Sequence, residues 1–235
     1  MKLVSFNVNS IRSRLHQLAR VIEQHQPEVI GLQETKVQDH EFPLDAIAEL
    51  GYQAIFTGQK THYGVALLSR SEPVDVRLGF PADQPKAQRR FIAARYTLPD
   101  DQSIQVLNCY FPQGESREHP IKFPAKQKFY ADLQDFLEHS CDPSLPLVVM
   151  GDFNIAPDDK DIGIGAANAK RWLRTGKTSF LPEEREWFAH LTGWGLKDSF
   201  RFLHPDCDDL FSWFDYRSRG FEAEPKRGLR IDHIL

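Results

Sequence analysis

Short apolar runs in this sequence end repeatedly on side chains that can bind a cation or a phosphate. Residues 148–150 are apolar, and Asp152 and Asn154 follow them within four positions. Similar runs lead to a second set of polar or aromatic residues: Asn7, Glu34, Tyr110 and Asp232. Such runs are typical of buried strands, and ligands of layered α/β proteins collect beyond the carboxyl ends of strands. The pattern therefore predicts one site that can bind a divalent metal and a phosphate.

The length and composition are those of an ordinary globular protein. The chain has 235 residues, of which 41% are hydrophobic and 26% charged, and we expect one domain over residues 1–235. The first residues lack the apolar segment of a secretory signal, and no stretch approaches the roughly 18 apolar residues of a membrane span. Cys109, Cys141 and Cys207 form no C-x-x-C pattern, which argues against a disulfide framework and a zinc site. We expect a cytoplasmic protein that binds no membrane.

The net charge of −4 does not by itself indicate a nucleic-acid-binding protein, but cations are concentrated locally. The stretch 170–177 holds four cations and no acid, with Trp172 among them. Other concentrations contain Arg89, Arg90, Lys122, Lys126, Lys128, Arg217, Arg219, Lys226, Arg227 and Arg230. A solvated surface explains any single cluster, whereas contact with a polyanion requires cations only where the polyanion lies.

Helical and strand patterns alternate along the chain. Apolar residues recur at helical spacing in segments 15–22 and 129–137, and a third helix is predicted from Pro182 to near Gly193 and Gly195. Strands are predicted at 3–8, 29–33, 53–57, 65–69, 74–78, 91–97, 104–110, 147–151 and 231–235. Several strands follow one another without a helix between them, so antiparallel pairing is expected. The sequence predicts an α/β (α+β) fold, a four-layer sandwich of two stacked mixed sheets flanked by helices.

Several motifs, taken in order, resemble those of a known enzyme family. Besides Asn7, they are Leu-Gln-Glu-Thr-Lys at 32–36, His-Tyr-Gly-Val-Ala-Leu-Leu at 62–68, Tyr-Phe-Pro-Gln-Gly-Glu-Ser at 110–116, Gly-Asp-Phe-Asn at 151–154 and Arg-Ile-Asp at 230–232. Over essentially its whole length, the sequence resembles the exonuclease III family of apurinic/apyrimidinic (AP) endonucleases, within the endonuclease/exonuclease/phosphatase superfamily. Tryptophan-bearing stretches at 172–177, 180–187 and 211–217 resemble the bacterial DNA-repair branch of that family.

The resemblance implies a phosphodiester hydrolase that requires Mg²⁺, with Mn²⁺ as a substitute. Glu34 would bind the metal, because Mg²⁺ prefers hard oxygen ligands and takes only one or two carboxylates. Asn7 would orient Glu34, contact a metal-bound water or donate to the phosphate. Without the other motifs, an exposed loop glutamate and a strand-terminal asparagine bonded to its own backbone would explain both residues.

Four further residues match catalytic positions of the family: Tyr110, Asp152, Asn154 and Asp232. The resemblance implies that Tyr110 donates to the phosphate, and that Asp152 either polarises the attacking water or protonates the leaving group while Asn154 holds the neighbouring geometry. On an extended chain, Asp152 and Asn154 would point to one face; the alternative is a turn, which Asp and Asn favour. Taken alone, Tyr110 would more often be a core residue with its hydroxyl at the rim.

The resemblance also implies a duplex DNA substrate with abasic sites or 3′ ends. Trp213 and Phe214 would form an aromatic wall against the abasic sugar, although such residues are more often part of a core. The other positions that match DNA contacts are Arg12, Lys36, Tyr63, Arg90, Gln113, Arg217 and Leu229. Arginines at phosphates would set affinity and its salt dependence rather than sequence preference. We expect no small-molecule cofactor and, without a coiled-coil pattern, a monomer.

One family motif does not occur before Leu235: the Ser-Asp-His-x-Pro run, whose histidine pairs with the acid matching Asp232 and contacts the phosphate. We therefore expect the domain to be incomplete at its C-terminus. Losing a group that stabilises transition-state charge lowers turnover about 10²- to 10³-fold. His233 adjoins Asp232, but neighbours on a strand point to opposite faces, so His233 is not expected to substitute.

The leading prediction is a DNA repair nuclease that cuts 5′ to abasic sites and removes nucleotides or blocking groups from 3′ ends of duplex DNA. Two other functions remain open. A phosphatase of inositol lipids or a sphingomyelinase would use the same chemistry on a small head group, although no membrane-binding segment supports it. A catalytically silent DNA-binding module would be explained by the missing histidine.

Overall fold

The computed structural model describes residues 1–99 and 101–235. Its elements are, in chain order, β1 (Leu3–Asn7), α1 (Ile11–His25), β2 (Val29–Gln33), α2 (Leu44–Glu49), β3 (Gln53–Thr57), β4 (Val65–Ser69), β5 (Asp75–Leu78), β6 (Phe91–Thr97), β7 (Ser103–Tyr110), α3 (Lys122–Ser140), β8 (Leu147–Asp152), α4 (Ala166–Thr175), α5 (Pro182–Trp194), α6 (Ser199–Leu203), β9 (Trp213–Phe214), β10 (Gly228–Leu229) and β11 (Asp232–Ile234). Over these described residues, no helix is both long enough and apolar enough to span a membrane.

The chain divides into two compact units. The first comprises residues 1–110 and 144–152, and the second comprises residues 111–143 and 153–235. The single domain expected from the length over residues 1–235 stays a prediction.

Two mixed sheets form the first unit. One has the strand order β1-β2-β4-β3, in which β1 and β2 are parallel and the other pairs are antiparallel. In the other, β8 lies beside β7 in parallel, and β7-β6-β5 continue as antiparallel neighbours. The predicted fold class, two mixed sheets flanked by helices, is confirmed. The antiparallel pairs follow from strands that succeed one another without an intervening helix.

Helix α1 covers the outer face of the first sheet. Its residues Leu18 and Ile22 share an apolar cluster with Ile30 and Leu32 of β2. Gly31, between those two strand residues, faces the second sheet: a Cβ built there would lie 2.7 Å from the Met150 side chain. Alternation of side chains along β2 therefore sends one set to the helix and the other to the sheet interface.

Buried amides join the two sheets. Gln33 Nε2 donates to Asn108 Oδ1 at 2.6 Å, and Asn108 Nδ2 donates to the carbonyl oxygens of Leu32 and Ala66 at 3.0 and 2.8 Å. Gln33 and Asn108 are both fully buried. Buried polar groups persist where they are hydrogen-bonded, and such bonds have directional requirements that apolar contacts lack. The amides therefore fix how the sheets align.

The second unit is built around helices α3 and α5 and an aromatic cluster. The centre of the Phe111 ring lies 4.3 Å from the centre of the Phe153 ring and 4.5 Å from that of the Tyr130 ring. The Tyr130 hydroxyl also donates to the Phe153 carbonyl oxygen at 2.8 Å. Two short strands, β9 and β10, pair in antiparallel fashion with Trp213 opposite Leu229.

A buried network of charges occupies another part of this unit. Arg230 donates to Asp161 Oδ1 and to Asp198 Oδ2, each at 2.6 Å. His233 is 2% exposed, and its Nε2 lies 2.8 Å from the Ile155 carbonyl oxygen. His233 is therefore part of the interior, while Asp232 beside it is partly exposed, as strand alternation predicts.

Strand bounds differ from the sequence predictions by one residue at most, whereas α3 begins seven residues before the predicted segment 129–137. Helices α2, α4 and α6 and the two-residue strands β9 and β10 were not predicted. None of the residues of α4 or α6 is fully buried, and α2 buries Ile47. Helices α2 and α6 are only six and five residues long, too short for a helical repeat of apolar residues to show in the sequence. Helix α4 carries most of the basic stretch noted at 170–177.

Candidate active site

Polar residues at four strand ends of the first unit lie close together. Asn7 ends β1, Glu34 follows β2, Tyr110 ends β7 and Asp152 ends β8. Asn7 Nδ2 donates to Glu34 Oε1 and to Asp152 Oδ2, each at 2.9 Å. Tyr110 and Asp152 are direct partners in the parallel β7–β8 pairing. One amide thus links two carboxylates that are 118 positions apart in sequence, at the ends of strands of different sheets.

Glu34 lies in a cationic and hydrogen-bonding environment. Its Oε2 lies 2.8 Å from Lys36 Nζ, and its side chain is 19% exposed. Burial would raise the pKa of Glu34, but hydrogen bonds from Asn7, Lys36 and Tyr110 outweigh burial and hold the pKa below its ordinary value. Glu34 is therefore ionised at neutral pH, and its carboxylate oxygens can bind a cation.

The loops after β2 and before β4 hold unusual backbone conformations. Glu34 and Lys36 both have φ of 56°, and Tyr63 has φ of 59°. This left-handed region is uncommon for residues other than glycine, and such conformations concentrate at functional sites, where surrounding bonds hold them. Here, the Thr35 and Lys36 amides donate to the carbonyl oxygens of Gly64 and Tyr63 at 3.1 and 2.9 Å.

Arg90 lies between two tyrosine rings. Its guanidinium carbon is 4.2 Å from the centre of the Tyr63 ring and 4.4 Å from that of Tyr110. Its Nη1 donates to the Tyr110 carbonyl oxygen at 2.9 Å, and its Nε donates to Gln88 Oε1 at 2.6 Å. Arg90 is 7% exposed and so has little surface for contact with DNA. Its burial favours a role in holding Tyr110 in place.

Tyr110 is held in its protonated form. Burial raises its pKa well above the ordinary value, and the negative charge of Glu34 raises it further, although Arg90 has the opposite effect. A phenol that stays protonated at neutral pH can donate a hydrogen bond to an anion. Its position at the end of β7 therefore suits the predicted donation to a phosphate oxygen.

Gly151 determines how β8 delivers Asp152. Its φ is 150°, and a Cβ built there would lie 1.8 Å from the Cys109 carbonyl oxygen. Every other residue would collide with the neighbouring strand at this point. The glycine lets β8 approach β7 closely, and Asp152 follows with 5% exposure.

Two predicted catalytic residues, Asn154 and Asp232, belong to the second unit. Asn154 has φ of 54°, so the chain turns there, which is the alternative that the sequence allowed to an extended chain. Its Nδ2 donates to the Phe111 carbonyl oxygen at 3.0 Å. The Asp232 amide donates to Ser212 Oγ at 3.0 Å. Asn154 is 6% exposed and Asp232 is partly exposed.

The predicted DNA contacts differ in exposure. Arg12, Gln113 and Arg217 are exposed, and Trp213 and Phe214 are partly buried in the β9–β10 pair. In addition, Arg12 forms a 3.4 Å ion pair with Glu41. These residues have surface that a ligand could reach.

Leu229 and Lys36 differ from that pattern. Leu229 is 1% exposed and lies in an apolar cluster with Phe180 and Ile231, which favours a packing role for its side chain. Lys36 donates to Asn9 Oδ1 at 2.5 Å besides pairing with Glu34. The Lys36 ammonium group therefore lies beside the Glu34 carboxylate and the Asn9 amide oxygen.

Sequence reasoning missed Lys126, which it grouped with surface cations. Lys126 is fully buried in α3 and forms a 2.5 Å ion pair with Glu184, which is fully buried as well. Its spacing from Phe129, Tyr130 and Leu133, at i+3, i+4 and i+7, places it on the apolar face of the helix and could have revealed this position.

The acidic pair fits a divalent metal. In the described part of the chain, no group of three or more His, Cys, Asp and Glu side chains clusters as a metal site. The pair formed by Glu34 and Asp152 through Asn7 is smaller, and Mg²⁺ is commonly bound by one or two carboxylates together with waters. The Lys36 ammonium group at 2.8 Å shows that Glu34 Oε2 is oriented towards a cation.

Comparison with known proteins gives consistent similarities. A family model described as the endonuclease/exonuclease/phosphatase family, one of metal-dependent nucleases, matches residues 4–235. Exodeoxyribonuclease III of Haemophilus influenzae is 58% identical over 235 residues, which cover 100% of this chain and 87% of that protein.

Solved structures are similar as well. A 3′ phosphatase from Neisseria, bound to a product DNA hairpin, has a TM-score of 0.86 and 40% identity, covering 100% of this chain and 86% of that one. An AP endonuclease from Archaeoglobus fulgidus has a TM-score of 0.88 and 32% identity, with the same two coverages of 100% and 86%.

Proposed function

Because this chain belongs to the endonuclease/exonuclease/phosphatase family, we propose that it is a DNA repair nuclease that hydrolyses phosphodiesters 5′ to abasic sites and at 3′ ends of duplex DNA. The observation that carries the proposal is the shared hydrogen bonding of Asn7 to Glu34 and Asp152, each at 2.9 Å. Phosphodiester hydrolysis needs a positioned water, a group that handles its proton and positive charge near the phosphate. The two carboxylates, the amide between them and the protonated tyrosine are groups that can meet these needs.

Glu34 would hold Mg²⁺, or Mn²⁺ in its place, with Asn7 orienting the carboxylate. When bound, the metal would supply positive charge that polarises the phosphate and lowers the pKa of bound water. The lowered pKa of Glu34 supports this assignment, because a metal ligand must be deprotonated.

Tyr110 and Asp152 would act on the reacting groups. Tyr110 would donate its hydroxyl proton in a hydrogen bond to a phosphate oxygen, which its raised pKa permits at neutral pH. Asp152 would orient or deprotonate the attacking water, or protonate the leaving oxygen. Asn154 and Asp232 would also take part in hydrolysis, because both match catalytic positions of the family that the sequence resembles.

The exposed cations and the partly buried aromatics would bind the substrate. Arg12 and Arg217 would neutralise backbone phosphates, and Trp213 and Phe214 would cover the space left by the missing base. We propose that duplex DNA with abasic sites or 3′ ends is the substrate and that the enzyme acts as a monomer in the cytoplasm. The activities of the similar proteins, a 3′ phosphatase and an AP endonuclease, support this substrate class.

The test uses the 235-residue chain with a labelled duplex that carries one abasic site and, separately, a duplex with a 3′ phosphate. We expect incision and phosphate release with Mg²⁺, loss of both with EDTA, and recovery when Mg²⁺ or Mn²⁺ is restored. Glu34→Gln keeps the side-chain volume and removes the charge, and it should raise the metal concentration needed for half-maximal activity.

Three outcomes contradict the proposal. Tight binding of the abasic duplex without metal-dependent cleavage would indicate a DNA-binding module. Hydrolysis of an inositol phosphate head group without cleavage of DNA would indicate a phosphatase of small substrates. Full cleavage in EDTA would exclude the metal role assigned to Glu34.

A further inference from the structure

Lys126 and Glu184 form an ion pair with no exposed surface. Lys126 Nζ lies 2.5 Å from Glu184 Oε1, and both side chains are 0% exposed. Removing two charges from water is costly, and an apolar pair of similar volume is often as stable or more stable. Stability alone therefore gives a weak reason for charges at these positions.

The pair connects three segments of the second unit. Lys126 Nζ donates to the Asn154 carbonyl oxygen at 2.8 Å and approaches the Gln113 carbonyl oxygen at 3.4 Å. Glu184 Oε2 accepts from the amides of Ser179 and Leu181 at 2.7 and 2.8 Å, at the start of α5. A charged lysine can hold two carbonyl oxygens and a carboxylate at once because it has three donors.

The segment around Asn154 needs such support. Asn154 has φ of 54°, in the left-handed region of the backbone. Residues other than glycine are uncommon in this region, and surrounding contacts stabilise them there. Helix α3 supplies two bonds to this segment: Lys126 holds the Asn154 carbonyl, and the Tyr130 hydroxyl holds that of Phe153 at 2.8 Å. On the other side, the Ala156 amide donates to the Ser179 carbonyl oxygen at 2.6 Å.

We propose that Lys126 and Glu184 are positioning residues, which fix the backbone of Asn154 and of Gln113 for the nuclease reaction. The inference rests on the proposed function, because it requires Asn154 to take part in hydrolysis. Lys126 does not touch the substrate; it acts through the carbonyl oxygens that it binds. A shift of about 1 Å in a catalytic group can lower turnover about 100-fold.

The principal test is the double variant Lys126→Met with Glu184→Gln. Methionine fills most of the lysine volume, and glutamine keeps an oxygen that can accept from the Ser179 and Leu181 amides. We expect kcat on the abasic duplex to fall about 10- to 100-fold. The KM and the Mg²⁺ concentration for half-maximal activity should stay within about twofold, because Glu34 and Asn7 are untouched. General loosening of the protein would change all three quantities.

The matched control is Glu183→Gln, one position earlier in α5. Glu183 pairs with Arg117 at 2.5 Å in a partly exposed bridge. Its loss should leave kcat unchanged, since exposed ion pairs contribute little. A drop in kcat as large as that of the double variant would show that any charge change in α5 has this effect, and it would overturn the inference.

A double-mutant cycle tests the route of action. If Lys126 and Glu184 act through Asn154, the double variant should cost little further kcat in an Asn154→Ala background. If the fold reductions in kcat instead multiply, the two changes act independently, and the inference is overturned.

Tyr130→Phe provides a milder variant in case the double variant does not fold. It deletes only the hydroxyl that holds Phe153, and we expect kcat to fall about threefold to tenfold with KM unchanged, as for loss of one hydrogen bond. Unchanged kcat in Tyr130→Phe would then overturn the inference. Failure of the proposed function is distinguishable, because the unmodified chain itself would not cleave DNA.

Discussion

The guanidinium carbon of Arg90 lies over the Tyr110 ring, 4.4 Å from its centre, and Arg90 Nη1 donates to the carbonyl oxygen of the same residue at 2.9 Å. Side chain and backbone of Tyr110 are thus held by one cation. The ring position, and with it the hydroxyl near Glu34, depends on a residue that is itself buried.

Arg90→Met should lower the free energy of unfolding by about 1 to 3 kcal/mol, because contacts with two aromatic rings and a carbonyl oxygen are lost. Arg90→Lys should recover part of the loss, since an ammonium group keeps the charge but not the planar stacking. Urea denaturation measures both. Arg12→Met is the control, because Arg12 is exposed and its loss should change the free energy of unfolding by less than about 0.5 kcal/mol. Equal values for Arg90→Met and Arg12→Met would contradict the supporting role.

Asn7→Ala should lower kcat on the abasic duplex about 10²- to 10³-fold, as for the loss of one preorganised donor. It removes the amide that Glu34 and Asp152 share, so the two carboxylates lose a common hydrogen bond. Since Asn7 helps to lower the pKa of Glu34, its loss should also move the acidic limb of the pH–kcat profile to higher pH.

The same hydrogen bonds give Glu34 a pH-dependent effect on stability. A carboxyl whose folded pKa is depressed stabilises the protein above its unfolded pKa, and the effect is lost as pH falls through the folded pKa. The difference in free energy of unfolding between the unmodified chain and Glu34→Gln should therefore shrink below about pH 4.5, the ordinary value for a glutamate. A difference that is constant from pH 7 to pH 3 would rule out this linkage.

Tyr110 should resist ionisation in the folded protein. Its pKa is raised by burial and by Glu34, so the folded state binds its proton more tightly than the unfolded state. The resulting stabilisation is present below about pH 10 and is lost as pH rises above it, towards the folded pKa. Absorbance at the tyrosinate band, compared between the unmodified chain and Tyr110→Phe, should show no difference until alkaline unfolding. A tyrosine that titrates near pH 10 in the folded unmodified chain and is missing from the variant would contradict the prediction.

Gly151→Ala should destabilise the protein by about 3 kcal/mol or more, because a Cβ would lie 1.8 Å from the Cys109 carbonyl oxygen and the chain must shift. Activity should fall even where the variant remains folded, since Asp152 follows directly. Gly193→Ala is a matched control: Gly193 lies within α5, nothing lies within 4 Å of its Cβ position, and alanine should stabilise the helix by about 0.5 to 1 kcal/mol. Thermal denaturation checks both expectations: Tm should fall in Gly151→Ala and rise in Gly193→Ala.

The strand ends could be predicted from sequence because each is a junction between hydrocarbon and a polar residue. Asn7, Glu34, Tyr110 and Asp152 lie at such junctions, and parallel strands carry their carboxyl ends to one edge of a sheet. Local pattern and strand topology are enough to bring such residues together, even where they lie far apart in the chain.

Residues whose role depends on a specific partner were not predictable in this way. The helical spacing of Lys126 indicates the apolar face of α3, but nothing local indicates its charged partner Glu184, 58 positions away. Arg90 resembles a phosphate ligand in sequence, yet two tyrosine rings enclose it. For Asn154, the pattern allowed an extended chain or a turn, and tertiary hydrogen bonds decide between them. Side-chain pairing across distant segments leaves little trace in local periodicity.

The amides of Gln33 and Asn108 have a consequence at the edge of the sheets. Gln33 immediately precedes Glu34, and Asn108 lies two residues before Tyr110. Sliding one sheet by a single residue would displace its strand ends by about 3.3 Å, more than the length of the hydrogen bonds that Asn7 makes. These two core amides are inaccessible to any substrate. They nevertheless hold the two sheets in one register, and so they set the distance between the strand ends at which water, metal and phosphate would have to meet.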